Sequence, residues 1–425
     1  MPPASASLRA ALVEQLLKNG SLTQAAVAGA FRAVPRHRFL PDVPLEEVYR
    51  DEAIPTKLLA GQAISSSSQP AIMAIMLEQL DLSPGQRVLE IGAGAGYNAA
   101  LLGYLVGPGG EVVSLDIDDD LVAGARAHLS AAGVRNVQVI CADGGNGWPH
   151  GAPYDRIILT VGSWDIAPAW REQLRPGGKL VLPLGISATG PQKCVAFLKP
   201  REDGGPWLTS QSVRDCGFMR LRGAFAGPER LLSLGPEPGL DLSLSIEPPA
   251  SPETLLGWLT QPGAWRSTGI EATAGEVTGG VGLWLGINSA GACDLIVQGD
   301  WSSLDLPYLF EVSARRRLRS TIGIATTTGL AFLSRPKPFG RAIQAADEHK
   351  PFELQIAGFG PENGAGPVSQ MLAHSAAWRA AGRPGNPNLR VRVYPPNIPV
   401  QPGPKELVVG KNYTQLLIDW PVQSR

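Results

Sequence analysis

Apolar and polar positions in the first half of the chain follow helical and strand periods in turn, which predicts helices alternating with strands. Residues 7–34 are predicted to be helical from the spacing of Leu12, Val13, Leu16 and Leu17, with Asn19-Gly20 as a stop. The segment Val34-Pro-Arg-His-Arg-Phe-Leu-Pro41 then breaks the helix. Residues 61–70, with four serines at Ser65 to Ser68, read as a polar loop, and Pro70 suits the first turn of a helix over 71–80. A regular alternation follows: strand 88–91, helix 97–106, strand 111–115, helix 119–132, strand 137–140, strand 156–161 and helix 166–174. Pro176-Gly-Gly178 turns into a strand at 179–184, and a last strand lies near 193–198. This order implies a parallel sheet with helices on both faces.

The second half has a different pattern. Residues 227–249 are rich in Pro and Gly and read as a linker. Strand-like runs follow at 281–285, 294–297, 321–325, 352–356 and 389–393, the last alternating strictly. Val368, Met371, Leu372, Ser375 and Trp378 fall on one helical face that Gly382 and Pro384 end. The expectation is a domain over 1–226, a linker over 227–249, and a smaller α+β domain with a mostly antiparallel sheet over 250–425. A chain of 425 residues accommodates two domains.

Composition narrows the class. A hydrophobic share of 44% with 18% charged residues describes a globular protein, and a net charge of -1 gives no electrostatic case for nucleic-acid binding. Cys141, Cys194, Cys216 and Cys293 lack paired spacing, so free, buried thiols are expected and no metal site. No apolar run reaches about 18 residues, and the N-terminus lacks a signal-peptide core. A cytoplasmic protein without membrane contact is the expectation.

The chemistry centres on VLEIGAGAGYNAALL, residues 88–102. An apolar run enters Gly92, Gly94 and Gly96, where a bare backbone can approach a ligand closely, and a helix follows. Asp116 ends the next apolar run, where an acidic side chain grips ribose hydroxyls in nucleotide-binding folds. Two features disfavour a nicotinamide dinucleotide. Tyr97 stands where its fingerprint wants a third glycine, and Glu90 ends the strand before the first. That acid is usual for S-adenosylmethionine (SAM) sites of class I methyltransferases.

VPRHRFLP, the Gln-Ala-Ile-Ser…Gln-Pro loop, LEIGAGAGYNAALL, Asp143-Gly144, PYDRIILTVG and LRPGGKLVLPLG occur in this order over residues 7–226. Together they resemble protein-L-isoaspartate O-methyltransferase. The resemblance implies a Rossmann-like, SAM-dependent carboxyl O-methyltransferase domain acting on aspartyl or isoaspartyl residues of a peptide or protein. It implies cofactor binding by Glu90, Gly92, Ala93, Gly94, Gly96, Tyr97, Asn98, Asp116, Ile117, Asp143 and Gly144. Ser65 to Ser68 are the candidate catalytic residues, as neutral donors to the substrate carboxylate, flanked by Ile64, Gln69 and Val161 as substrate contacts. Counting back from Gln69-Pro70 matches Ser68 to the single family serine, and counting forward from Ala63-Ile64 matches Ser65. The choice between them stays open.

Two departures stand out: four serines where the family has one, and about 200 residues beyond the usual end. Both resemble a branch found beside ribosomally made, cyclised peptides such as lanthipeptides. That branch methylates an ordinary aspartate of the cyclised precursor, and the ester collapses to a succinimide that persists or opens to isoaspartate. The leading expectation is this activity, with the second domain recognising the precursor. Its rivals are isoaspartyl repair of damaged proteins and a non-catalytic peptide-binding module. His37 reads as structural, His128 as helix surface, and Arg315 to Arg317 with Arg319 as solvated charge.

Overall fold

A computed structural model of the chain describes residues 4–420 apart from 60–61, 188–189, 191, 203, 229–230, 236–238, 245, 302, 308, 314–317, 337–349 and 405. Arg315, Arg316 and Arg317 therefore lie outside the described residues. The expected α/β alternation is present. Strands Arg87–Ile91, Glu111–Asp116, Val137–Cys141, Tyr154–Leu159 and Leu174–Leu184 form a parallel array in which Arg87–Ile91 lies between Glu111–Asp116 and Tyr154–Leu159. Strand order reverses at Arg87–Ile91, and ligands of open α/β sheets bind at such a switch point, beyond the carboxyl ends of the strands. Val88, Val112, Val139, Ile158 and Val181 face one core, with helices Pro70–Leu80, Tyr97–Val106 and Asp119–Ala131. Leu89, Ile91, Leu115, Ile157 and Leu180 face the other, with Trp170 of helix Pro168–Gln173.

The sheet continues antiparallel through Gln192–Leu198 and Leu208–Cys216, and then takes up Arg390–Tyr394, Gln415–Asp419 and Glu406–Gly410 from the end of the chain. The expected boundaries are corrected here. Residues 250–425 are not one unit, because the last strands pair onto the first sheet. Val391, Val393, Leu416 and Ile418 are buried beside Phe197, Leu208 and Val213. The expected linker also carries two strands, Leu231–Ser233 and Leu240–Leu244, whose Leu240, Leu242 and Leu244 point alternately into a core.

A second, antiparallel sheet holds Leu231–Ser233, Leu240–Leu244, Ala292–Gln298, Leu318–Thr326, Gly329–Ser334, Phe352–Phe359 and Ala264–Ala272 in that order, with Phe310–Ser313 beside Leu318–Thr326. Helix Ala365–Ala380 packs Val368, Met371 and Trp378 on one face. The expected strand at 281–285 is instead helical: a π-helical turn, Val277–Val281, runs into helix Gly282–Asn288. Val277, Val281 and Leu285 recur every four residues and are buried together, and Thr273 with Glu276 forms a capping box that starts the run. The serine stretch, expected as a loop, is strand Gln62–Ser67 of a hairpin with Ile54–Leu59. The cysteines are free, but Cys141 is exposed rather than buried. No helix among the described residues is long and apolar enough to cross a membrane.

Truncation after Ala226 removes the strands that cover Leu208–Cys216. Each lost apolar side chain of this core contributes about 1.5–3 kcal/mol, so the truncated chain is expected to aggregate or melt well below the full chain. Thermal denaturation with light scattering checks this; a monomeric fragment of undiminished thermal stability contradicts it.

Candidate active site

The turn after Arg87–Ile91 is held against its neighbouring strands by backbone bonds. Gly92 and Ala93 N–H groups donate to Leu115 O at 2.8 and 2.9 Å, and Thr160 Oγ1 donates to Gly92 O at 2.6 Å. Gly92 has φ +103°, and a Cβ there would stand 2.6 Å from Thr160 Oγ1, so the close approach requires glycine. Asp116 Oδ2 accepts the Gly94 N–H at 2.9 Å, and its Oδ1 accepts Asp118 N–H at 3.3 Å. Burial, opposed by these bonds, raises the Asp116 pKa.

Beneath the turn Glu90 is wholly buried. Its two oxygens accept from Asn98 Nδ2 at 2.8 Å and Ser114 Oγ at 2.5 Å. Desolvation pushes its carboxyl up to about 7, against those two donors. His128, expected on the helix surface, is half-buried with Nδ1 3.0 Å from Ala95 O, and so props the turn from the following helix. His37 meets the Tyr49 hydroxyl at 2.7 Å rather than reacting groups.

A cavity of about 960 Å³ opens over this turn. Of the expected cofactor residues, Gly92, Ala93, Gly94, Tyr97 and Asn98 line it, as do Asp116, Ile117 and Gly144. Glu90, Gly96 and Asp143 do not. Gly96 is the N-cap of helix Tyr97–Val106 and faces Ala125. Asp143 accepts Gly145 N–H at 2.9 Å and Ala224 N–H at 2.8 Å, which fastens the 223–224 turn beside the cavity. Gly144 packs on Ile91 so closely that a Cβ would approach its side chain to 2.3 Å.

Ser65, Ser66, Ser67 and Ser68 line the same cavity, with Ile64, Gln69 and Val161. Ser65 and Ser67 are buried, and Ser66 and Ser68 half-buried, as strand alternation requires. Ser65 Oγ accepts from Thr56 Oγ1 at 2.9 Å and lies 3.8 Å from where a Cβ on Gly94 would stand. Arg36, which the sequence did not single out, is wholly buried and donates to Ser68 O at 3.0 Å, Ser67 Oγ at 3.4 Å and Val48 O at 2.8 Å. Asp118 joins Lys57 of the hairpin, at 3.2 Å, to Arg222, at 2.7 Å. The far wall comes from the second sheet, through Asp294, Ile296, Leu318, Ser320 and Ile322. Nothing in the local sequence marks those residues.

Residues 7–221 match the family described as protein-L-isoaspartate(D-aspartate) O-methyltransferase (PCMT). A protein-L-isoaspartate O-methyltransferase of Pyrococcus horikoshii is 43% identical over 192 residues, 45% of this chain and 83% of its own. Protein-L-isoaspartate O-methyltransferase 1 of Rhodopseudomonas palustris is 37% identical over 241 residues, 57% of this chain and 92% of its own. A solved structure named protein-L-isoaspartate O-methyltransferase covers 96% of this chain and 98% of its own, with a TM-score of 0.50. Its 23% identity makes that a likeness of fold alone.

Glu90 yields a pH prediction. Its folded pKa of about 7 exceeds the unfolded value of about 4.3. The folded state therefore binds more protons between these values, and the Glu90 contribution to stability falls as pH rises through 7. Glu90→Gln keeps the shape without the titration. Between pH 5 and 8 the stability difference is expected to move in favour of the variant by about 1–3 kcal/mol. Urea denaturation at the two pH values checks this, and parallel pH profiles would refute it.

Proposed function

We propose that this chain, which belongs to the protein-L-isoaspartate(D-aspartate) O-methyltransferase family, esterifies the free carboxylate of isoaspartyl residues in peptides or proteins. It is a carboxyl O-methyltransferase whose methyl donor is S-adenosyl-L-methionine. The fold is the mixed α/β fold of class I methyltransferases with an additional C-terminal sheet. The isoaspartyl reading rests on the family and the named relatives. The observation that carries it here is the placement of four serines in one cavity with the Gly92–Ala95 turn, Ser65 beside Gly94.

The residues present fit the methyl donor. The Gly92–Ala95 backbone lies bare along the cavity, and Asp116, at the carboxyl end of the adjacent strand, presents a carboxylate there. We assign cofactor binding to Gly92, Ala93, Gly94, Tyr97, Asn98, Asp116, Ile117 and Gly144. Glu90, Gly96 and Asp143 act through the turns they brace. When bound, the cofactor would supply an electrophilic methyl group for the substrate oxygen.

An aspartyl-type carboxyl with a pKa of about 3.9 is already ionised at neutral pH, so no strong base is required. The protein's task is to orient that carboxylate and exclude water. Ser65 is suited to it. Its oxygen is occupied by the Thr56 hydroxyl, which leaves its own proton free to donate. A neutral donor fixes a carboxylate without pairing away its charge. Ser68 and Ser66 complete the donor row, while Ser67 is tied to Arg36.

A second reading is methylation of an ordinary aspartate in a cyclised ribosomal peptide, with the ester closing to a succinimide as the neighbouring amide nitrogen displaces methanol. The extended serine row and the second-sheet wall favour it, because a cavity lined from both sheets suits one constrained ligand.

Mass spectrometry of the full chain with S-adenosyl-L-methionine decides between them. A gain of one methyl group on a generic isoaspartyl peptide is expected. Methylation or later dehydration confined to a cyclised aspartyl peptide overturns the isoaspartyl reading in favour of the second. Ser65→Ala is expected to lower kcat/KM by about 10- to 100-fold, the loss of one charge-assisted hydrogen bond, with S-adenosyl-L-homocysteine affinity little changed. A larger effect from Ser68→Ala would move the carboxylate along the row.

A further inference from the structure

Strand Ala292–Gln298 places Cys293, Leu295 and Val297 in a buried core, so Asp294 and Ile296 point to the opposite face, into the cavity. Asp294 lies opposite Ile322, and Ile296 opposite Ser320, on strand Leu318–Thr326. Leu318, Ser320 and Ile322 share that face. The wall is therefore a carboxyl group set among apolar side chains, Phe310 included, with the Ser320 hydroxyl on the same face.

The two carboxylates this side of the cavity holds are treated differently. Asp215 is matched inside the protein: it pairs with the buried Lys193, and Thr278 Oγ1 donates to it at 2.7 Å. Asp294 accepts the Gly190 N–H through Oδ2 at 2.8 Å, and no hydrogen bond among the described residues reaches Oδ1. Among the described residues no cation offsets its charge; desolvation pushes its pKa up to about 7, with the Gly190 N–H acting against it. A half-buried carboxylate without a counter-charge is costly unless a ligand supplies one.

We propose that Asp294 is a specificity-determining residue that receives a lysine or arginine side chain of the acceptor peptide, close in sequence to the residue being methylated. This rests on the reading of the cavity as the site of peptide methylation. The neighbours suit such a guest. Ile296, Leu318 and Ile322 can cover the methylene stem, while the terminal nitrogen meets Asp294 Oδ1 and the Ser320 hydroxyl lies near. Glutamate or aspartate in the same place would face Asp294 with like charge, so acidic flanks are disfavoured.

The test uses the full chain and short isoaspartyl peptides that differ only by lysine or norleucine at successive flanking positions. Initial rates give kcat/KM, and calorimetry with S-adenosyl-L-homocysteine present gives binding of the same peptides. At one position the wild type is expected to prefer lysine by about tenfold in both readouts. The lysine-to-norleucine ratio should fall to about one in Asp294→Asn and largely survive in Asp294→Glu. Because the ratio compares two substrates on one protein, a general folding defect cancels. Methylation indifferent to lysine at every position, or a preference that persists in Asp294→Asn, overturns the inference alone. If no peptide is either methylated or bound, the functional reading fails and the inference falls with it.

Discussion

The acceptor side of the cavity depends on one buried cation. Arg36 is fully enclosed, and no carboxylate among the described residues bonds it. Its Nη1 donates to Val48 O at 2.8 Å and Arg50 O at 3.2 Å, and its Nη2 to Glu52 O at 3.2 Å and Ser68 O at 3.0 Å. Enclosing a guanidinium is costly unless dipoles replace its water, and a planar fork of donors can meet several carbonyls at once. Lysine has fewer donors, all on one nitrogen, and could not span these carbonyls. The consequence is mechanical. The Val48–Glu52 segment and the end of the serine strand are gathered around one rigid group, so the hydroxyl row is positioned before any substrate arrives.

Across the cavity the acids fall into two sets. Asp118 and Asp120 pair with Lys57, Asp118 also with Arg222, and Asp215 with Lys193. Those pairs tie the hairpin to the helix starting at Asp119 and the first sheet to Thr278 beyond it. Glu90, Asp116 and Asp294 instead receive only neutral donors among the described residues, namely Asn98 and Ser114, Gly94 and Asp118 N–H groups, and Gly190 N–H. Burial raises all three pKa values. Asp215, although it lines the cavity, is neutralised by Lys193, whereas Asp116 and Asp294 in the cavity and Glu90 beneath the turn keep an unspent demand for positive charge. A cationic methyl donor suits the demand at the turn, and a basic peptide residue suits the demand at the far wall.

The parallel sheet and the glycine turn were legible because their signals are local. Apolar runs, a glycine cluster and a following acid lie within about one βαβ unit. The rest was not legible, because distant pairing or a signal outside the run itself decides it. Ser65 to Ser68 have the composition of a loop, and only pairing with Ile54–Leu59 makes their stretch a strand. VGLWL at 281–285 is a short apolar run that periodicity assigns poorly, and the capping box just upstream decides for helix. The alternation of residues 389–393 marks a strand, yet nothing in it says which sheet they join. Nothing local marks Arg36, because arginine is ordinarily a surface residue. Asp294 lay within a stretch that reads simply as a strand.

The return of the chain gives the second sheet its role. It leaves the first sheet after Leu208–Cys216, and the chain rejoins that sheet at Arg390–Tyr394, which pairs with the same strand. The second sheet is thus tethered at both ends to one strand. The Asp294–Gly190 bond and the Lys193–Thr278–Asp215 cluster add cross-links beside the cavity. A wall fixed in this way cannot adapt to many shapes at little cost. A flexible peptide must lose its own conformational freedom to lie between the serine row and this wall, whereas a peptide already constrained by a ring has less to lose. Tethering therefore shifts discrimination from affinity for the carboxylate, which every acceptor shares, to the shape and charge of its surroundings.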